Sequence, residues 1–432
     1  MKNWVYIKDI GNFVDQDVEV RGWVHNKRDS GRIKFILIRD GSGVLQSTIW
    51  SKDPECDLFK EFARLTHESS LKVVGRVKED KRAPGGYEME IKELEILQVA
   101  DEFPISKKEH GTAFLMEHRH LWLRSPRQAA ILKTRATIIK AIRDYMDNED
   151  FTLTDPPILT GNAAEGTTTL FETSYFDEKA YLSQSGQLYA EACAMALGKV
   201  YTFGPTFRAE KSKTRRHLIE FWMMEPEWAF AELDDVIDLA QNMLAYVVAR
   251  VLETRQEELK ILERDTSKLE SIVAPFPRIT YDEAFEILKE SGQSETPYGS
   301  DLGGTDETII SEKFDRPVAI THYPMDVKAF YMQPDAAKPD KALCVDIIAP
   351  EGYGEIVGGS QRIHDPELLK KRIEEHGLSQ DVFKWYMDLR RFGSVPHSGF
   401  GLGIERTVSW ICKLPHIRET IPFPRMLYNL YP

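Results

Sequence analysis

At 432 residues the chain exceeds one ordinary domain, and two or three domains are expected. Hydrophobic residues at 42% and charged residues at 29% describe a chain with a sizeable core, which excludes wholesale disorder. A net charge of −13 argues against a protein that coats nucleic acid non-specifically; the first 100 residues, with 17 Lys and Arg against 17 Asp and Glu, carry none of that surplus, so a polyanion meets least repulsion there. Cys56, Cys193, Cys344 and Cys412 form no CxxC pair, so neither a disulfide framework nor a zinc ribbon is expected, and a reducing cytoplasm fits best. The first 17 residues have no apolar run behind positive charge, and no stretch approaches 18 apolar residues, so neither a signal peptide nor a membrane span is expected.

In chain order, VEVRGWVHNKRD, RIKFILIRDGSGVLQSTIW, SLKVVGRVKED and YEMEIKELEIL alternate or run apolar between the breaks DSGR, DGSG and APGG. With the helical piece DLFKEFARLTHESS among them, about five strands fit a small closed barrel such as an OB-fold over residues 1–103. Residues 104–126 read as a connector. Ser125-Pro126 then opens a helix, serine as cap and proline at the first helical position, with Ile131, Ile138, Ile142 and Tyr145 on one face. TLTDPPIL is extended. Residues 200–210 and 219–230 read as two strands around the basic loop KSKTRRHL, and a long acidic helix follows over roughly 232–264. Residues 316–363 return to strands, two short helices follow (366–376 and 379–391), and HSGFGLGIERTVSWICKL is a Gly-rich strand running into a helix. Residues 127–432 thus form an α+β domain whose order of elements favours a mostly antiparallel sheet.

Four stretches carry chemistry. FRAEKSKTRRHLIEFWMMEPEWAF sets Arg208 and Glu210 at the end of one strand, a loop with Lys211, Lys213, Arg215, Arg216 and His217, and Phe221 and Glu225 on the return strand. Such a loop suits a polyphosphate and the aromatic suits a planar base; taken alone it equally describes a solvated hairpin. GFGLGIER ends in Arg406 at a strand-to-helix junction, where glycines let backbone approach a ligand. DIIAPEGYGEIVGGSQR brings Asp346 and Glu355, a possible Mg²⁺ pair, near Gly358, Gly359 and Arg362. The fourth is the Pro157 segment behind its helix. There is no GxxxxGK[ST], and the Gly-rich strand lacks a βαβ unit, so P-loop and dinucleotide readings are rejected.

Taken together and in this order, the stretches closely resemble the three signature motifs of the class II aminoacyl-tRNA synthetases, and the N-terminal barrel resembles the anticodon-binding OB-fold of their aspartyl/asparaginyl/lysyl branch. GPTFRAE followed by RRHLIEFW is similar to the aspartyl/asparaginyl pair. Within it, QSGQLYAEACAMALGKVYTFGPTFRAE, WMMEPEWAF, YMDLRRFGSVPHSGFGLGIER and IRETIPFPR look asparaginyl: Ala190 stands where the aspartyl branch usually has a lysine, and Glu225 where it tends to have Asp. An amide offers one acceptor oxygen and an NH₂, a carboxylate only acceptors. Arg362 donating to the amide oxygen and Glu225 accepting from the NH₂ would therefore favour asparagine, by up to ~10⁴-fold.

The resemblance implies an ATP-dependent ligase that forms asparaginyl-adenylate and transfers it to the terminal adenosine of tRNA(Asn). It implies Mg²⁺ as cofactor, ATP as co-substrate, L-asparagine, a homodimer through the Pro157 motif, and neither membrane nor DNA as partner. Arg208, Glu210 and Arg406 would be catalytic. Arg208 would bridge the amino-acid carboxylate and the α-phosphate, and Glu210 would orient ATP or the tRNA end. Phe221 and Arg406 would sandwich adenine, and Arg216 and His217 would reach the γ-phosphate. Leu218, Gly403, Ile404 and Glu405 complete the ATP set. Glu355, with Asp346 second, would hold Mg²⁺; Gly358, where some aspartyl members have a metal-binding serine, leaves the number of ions open. Glu165, helped by Gln187, would take the substrate ammonium. In the barrel, Phe35 would stack the central anticodon uridine and Gln46 read its edge. Arg28 (with Arg32 and Lys27) would hold phosphates, and Glu79 is a further candidate. Competing readings are an aspartyl enzyme, whether strict or charging both tRNAs, an asparagine-forming ligase, which would lack the barrel, and a non-catalytic RNA-binding paralogue, which should have lost Arg208, Glu355 or Arg406.

Overall fold

A computed structural model describes residues 4–106, 108–161 and 170–432. Two compact units divide the chain, Met1–Met116 and Glu117–Pro432.

The first unit is a closed barrel of β1 (Asp17–Ser30), β2 (Ile33–Arg39), β3 (Val44–Trp50), β4 (Ser70–Glu79) and β5 (Tyr87–Gln98), in the order β1-β2-β3-β5-β4. Only β3 and β5 pair in parallel. Alternation decides what fills it: Val18, Val20, Val24, Ile36, Ile38, Leu45, Ile49, Leu71, Val73 and Met89 point inward. The helix Asp57–Arg64 adds Phe59 and Phe62 to this core. Because Ile36 and Ile38 take the inward positions of β2, Phe35 is left on the outer face, half-buried.

The second unit is built on an eight-stranded sheet with three small strands beside it. In chain order the strands are β6 (Thr152–Leu153), β7 (Leu159–Thr160), β8 (Glu172–Tyr175), β9 (Glu178–Leu182), β10 (Lys199–Phe207), β11 (Glu220–Ala229), β12 (Arg278–Thr280), β13 (Val318–Thr321), β14 (Cys344–Ala349), β15 (Gly354–Gln361) and β16 (His397–Gly403). The large sheet runs β12-β13-β14-β15-β16-β11-β10-β6 and is antiparallel except for its outer pairs, β12 with β13 and β10 with β6. β7, β9 and β8 form the small sheet.

Two long helices, with the shorter Ile404–Ile411, cover one face. Pro126–Asn148 is capped by Ser125, whose side chain accepts from the Gln128 N–H, and it buries Ile131, Ile138 and Ile142. Leu233–Thr254 buries Val236, Met243 and Val247 in the same core. This helix is shorter than expected: Arg255, at φ −128° and ψ 28°, leaves helical geometry, and a separate short helix spans Gln256–Ile261. The expected connector contains two short helices, Thr112–Glu117 and Arg119–Trp122, and the later of the two C-terminal helices begins only at Lys384. Period-2 alternation splits the sheet: Met224, Val345, Ile347 and Leu402 join the helical core, while Met223, Glu225, Asp346 and Gly401 open on the opposite face, where the cavities lie.

Candidate active site

Two cavities of roughly 750 and 900 Å³ lie on that open face. The first is lined by Arg208, Glu210, Arg216, His217, Leu218, Phe221, Glu355, Gly403, Glu405 and Arg406 among others. The second is lined by Gln187, Arg208, Glu225, Asp346, Glu355, Gly358 and Arg362, together with Ser185, Asp301, Glu307, Tyr323 and Lys328. Arg208, Met223, Glu355 and Gly401 line both, so the two are one continuous site with Arg208 at the junction. At Gly401 a Cβ would stand 2.4 Å from the terminal methyl of Met223, so a larger residue there would displace that flexible side chain along the shared wall.

The first cavity is framed by the hairpin of β10 and β11, whose register pairs Thr206 with Phe221 and so carries Arg208 beside the ring. The Arg208 guanidinium lies 5.4 Å from the Phe221 centroid. Arg406, in the first turn of the helix Ile404–Ile411, donates through Nη1 to the Glu355 carbonyl at 2.8 Å. His217 faces Glu210 at 4.0 Å and Thr214 through Nδ1. Burial, then the nearby Arg406, lowers the His217 pKa, so the imidazole is neutral near pH 7. Arg216 lines the cavity with its donors engaged: Nη1 bonds the Gly304 carbonyl and Glu307, each at 3.1 Å, and Nη2 bonds Thr308 at 2.8 Å and the Gly352 carbonyl. Two of the expected ATP residues contribute differently from the rest. Ile404 is fully buried in the helical core and does not line the cavity, because the helix turns its side chain away from the sheet's open face. Glu405 lines it from below, accepting from the Trp222 N–H at 2.9 Å and pairing with Arg135 at 2.7 Å.

The second cavity holds the Arg362–Glu225 pair that the sequence brings into question. Glu225 is 5% exposed, and both oxygens accept from the protein: one from the Ser185 hydroxyl, the other from the Gly186 N–H at 2.8 Å and the Thr202 hydroxyl at 3.1 Å. A carboxylate has about four lone-pair sites, so room for one further donor remains. Burial raises its pKa, opposed by these hydrogen bonds. Arg362 is fixed by a partner that the motifs do not reveal, Glu227, which accepts from Nη2 at 2.5 Å, while Nη1 donates to Ser360 at 2.7 Å. Burial pushes the Glu227 carboxyl up to about 7 against the pull of Arg362. Gln187 lines the cavity; Glu165 lies outside the described residues.

Asp346 and Glu355 sit on adjacent strands on either side of Gly358, which is Asp346's partner in the register. A Cβ on Gly358 would approach Glu355 Oε1 to 2.6 Å and Asp346 Oδ1 to 3.6 Å, so the glycine leaves the space between the carboxylates open. Among the described residues no three His, Cys, Asp or Glu side chains group as a metal site. Two carboxylate oxygens facing an open cavity nevertheless fit Mg²⁺, which takes one or two protein carboxylates and fills its octahedron with phosphate and water. Lys328, unforeseen from the motifs, donates to Asp346 at 2.8 Å and is drawn to Asp301 at 3.5 Å. Burial and Glu355 push Asp346 up to about 6 despite Lys328, and burial with Glu355 pushes Glu307 up to about 7.

On the barrel, a separate groove is lined by Arg28, Phe35, Gln46, Thr48, Trp50, Lys78, Asp80, Arg82 and Glu88 among others. The Arg28 guanidinium lies 4.5 Å over the Phe35 ring. Gln46 Nε2 donates to Glu88 at 2.6 Å, which leaves the amide oxygen for a ligand. Glu79 is not in the groove: Lys78 and Asp80 line it, and the residue between them on the strand faces the other way. Lys27 is spent on the Phe62 carbonyl at 3.1 Å, at the end of the barrel's helix.

The comparisons with known proteins fit this site. The model of tRNA synthetases class II (D, K and N) matches residues 111–427, and that of the OB-fold nucleic acid binding domain matches residues 18–97. The chain belongs to the class II tRNA synthetases of the D, K and N group. An asparagine–tRNA ligase of Symbiobacterium thermophilum is 59% identical over 99% of this chain and 100% of the relative. Among solved structures, asparaginyl-tRNA synthetase of Pyrococcus horikoshii complexed with asparaginyl-adenylate is 44% identical, with a TM-score of 0.97 over the whole of both chains. The Entamoeba histolytica asparaginyl-tRNA synthetase in complex with asparaginyl-adenylate is 30% identical, with a TM-score of 0.90, again over the whole of both chains. Among the described residues of this class II synthetase, no helix is long and apolar enough to cross a membrane.

Proposed function

We propose that this class II synthetase is an asparagine–tRNA ligase: it activates L-asparagine with ATP and transfers the asparaginyl group to the terminal adenosine of tRNA(Asn). The observation that carries this reading is the single cavity in which Arg362 and Glu225, a donor and an acceptor, both face the space next to Arg208. An amide answers both groups; the carboxylate of aspartate would set a like charge against Glu225 and leave it without its donor. The 59% identity to an asparagine–tRNA ligase along the whole chain supports the same choice.

Arg208, at the junction, grips the amino-acid carboxylate and the α-phosphate and so stands where negative charge grows during in-line attack. Adenine stacks on Phe221 with Arg406 on its far side. His217 and Arg216 reach the γ-phosphate, which requires Arg216 to exchange Glu307 for phosphate oxygens. Glu210 orients ATP or the tRNA end. Glu355 and Asp346 hold Mg²⁺, which when bound neutralises and orients the phosphates. Glu165 and Gln187 take the ammonium group. In the barrel, Phe35 stacks the middle anticodon base, Gln46 reads it and Arg28 holds phosphate, with residues 1–103 as the anticodon-binding domain, 104–126 as hinge and 127–432 as the catalytic domain. Exposed Ile158 and Leu159 beside Pro157 support a homodimer, and four free cysteines suit the cytoplasm.

ATP–pyrophosphate exchange tests the reading. Asparagine should stimulate it strongly and aspartate weakly; stimulation by aspartate alone would reverse the choice.

A further inference from the structure

Glu191 lies one helical turn after Gln187 on the helix Gln187–Leu197, is fully buried, and has no place in the chemistry above. Four side chains converge on its carboxylate. Tyr386 Oη donates at 2.8 Å, Arg390 Nη2 donates at 2.7 Å, His397 Nε2 lies at 2.9 Å, and Gln187 Nε2 donates to Oε1 at 3.0 Å. Arg390 is itself tied to the Ile363 carbonyl at 2.8 Å, and His397 Nδ1 to the Val395 carbonyl at 2.8 Å, so the group is anchored on all sides. A buried carboxylate beside an arginine needs no function to account for it. What an ion pair alone does not account for is the fourth contact, to an amide that lines the amino-acid cavity.

An amide has one accepting and one donating end, and an ionised carboxylate only accepts. Glu191 therefore takes the NH₂ end of Gln187 and leaves Oε1 for the cavity. Turned the other way, the amide would present N–H donors to the substrate and repel a cationic group.

We propose that Glu191 is a positioning residue for the amino-acid substrate: it locks the Gln187 amide with its oxygen toward the cavity, as an acceptor for the substrate's α-ammonium group. This rests on the reading of that cavity as the amino-acid site. The sequence does not reveal the arrangement, because Arg390 and His397 lie 199 and 206 residues from Glu191 along the chain.

The test uses the full-length enzyme in ATP–pyrophosphate exchange, with succinamate as competitive inhibitor; succinamate is the asparagine skeleton without its ammonium group. Glu191→Gln should raise the KM for asparagine about 10- to 100-fold, the loss of one hydrogen bond to a charged group. The kcat and the KM for ATP should stay within about twofold, and the inhibition constant of succinamate should not change. Glu191→Asp keeps the charge beside Arg390 but withdraws it from Gln187; it should give the same selective loss and serves if Glu191→Gln does not fold. Gln187→Met should match Glu191→Gln, and the double variant should be no worse than either. Parallel weakening of succinamate and asparagine, or additive losses in the double variant, would show that Glu191 merely supports the fold. A selective loss in Gln187→Met with none in the Glu191 variants would overturn this inference alone. Unchanged asparagine KM in Gln187→Met would overturn the placement of the ammonium group itself.

Discussion

At the scale of single residues, position matters more than charge. Arg208 is one of many arginines, yet it borders both cavities and lies against Phe221. Under the proposed function Arg208→Gln removes a donor from the centre where charge develops, so adenylate formation should fall by about 10²–10³-fold, read by exchange. Its affinity for tRNA, read by filter binding, should stay within about twofold; an equal loss of both would contradict the separation of the two activities. Glu225 is the residue proposed to set specificity. Ser185, Gly186 and Thr202 all donate to it, so the NH₂ of a glutamine there would face donors. Glu225→Gln should therefore lower the preference for asparagine over aspartate by about tenfold or more, measured as the ratio of kcat/KM in exchange. Arg208, Phe221, Glu225 and Arg362 were legible in the sequence because each sits in a short motif with fixed spacing. Glu227, Glu191 and Lys328 were not: each acquires meaning only through a partner brought close by folding, and a lone buried glutamate or lysine carries no local signal. Ile404 and Glu79 show the converse limit, since motif membership does not tell which way a side chain points.

Among the elements, strand alternation did most of the work. The five barrel strands, the β10–β11 hairpin and the strand-to-helix step at residues 397–411 all follow from period and turn residues. Length was less legible: apolar spacing continues past Thr254, but the backbone of Arg255 breaks the helix there. Alternation also gives Phe35 its place, because Ile36 and Ile38 satisfy the core and free the neighbouring ring for the groove. Phe35→Ala should thus leave the barrel folded and remove a stacking surface worth about 1–3 kcal/mol. The KM for tRNA in aminoacylation should rise about 5- to 150-fold while tRNA-independent exchange is unchanged. Ser125 makes a local contribution of a different kind. Its hydroxyl accepts from the Gln128 N–H at the start of a core helix, so Ser125→Ala should cost about 1 kcal/mol, seen as a lower urea midpoint with no change in KM.

For the molecule as a whole, the open face of the large sheet holds carboxyl groups whose ionisation is opposed by burial and by one another's charge. Asp346 at about 6 and Glu307 at about 7 both stand above their ordinary values of 3.8 and 4.5, because burial and the charge of Glu355 disfavour ionisation. The sign follows from linkage: a carboxyl whose pKa is raised by folding binds its proton more tightly in the native state, so native stability falls as pH climbs from the unfolded value through the folded one. The lowered pKa of Glu191, held by Arg390 and His397 against burial, works in the opposite sense at more acidic pH. His217 and His416, whose pKa burial lowers, work the other way below their ordinary value of 6.5, so between pH 6.5 and 7.5, where Glu307 still titrates, the ligand-free protein should lose thermal stability. A divalent cation brought in with ATP favours ionised Asp346, so binding should release its proton in this window and tighten as pH rises, against the smaller opposing effect of Glu307, which gives up Arg216 to phosphate. Calorimetry of Mg–ATP binding at pH 6.5 in buffers of different ionisation enthalpy would count those protons. Release should diminish in Asp346→Asn, and the gain in melting temperature on adding Mg–ATP should be larger at pH 7.5 than at pH 5.5. Proton uptake instead of release, or a gain independent of pH, would mean that the carboxylates of this face are not the groups that meet the cation.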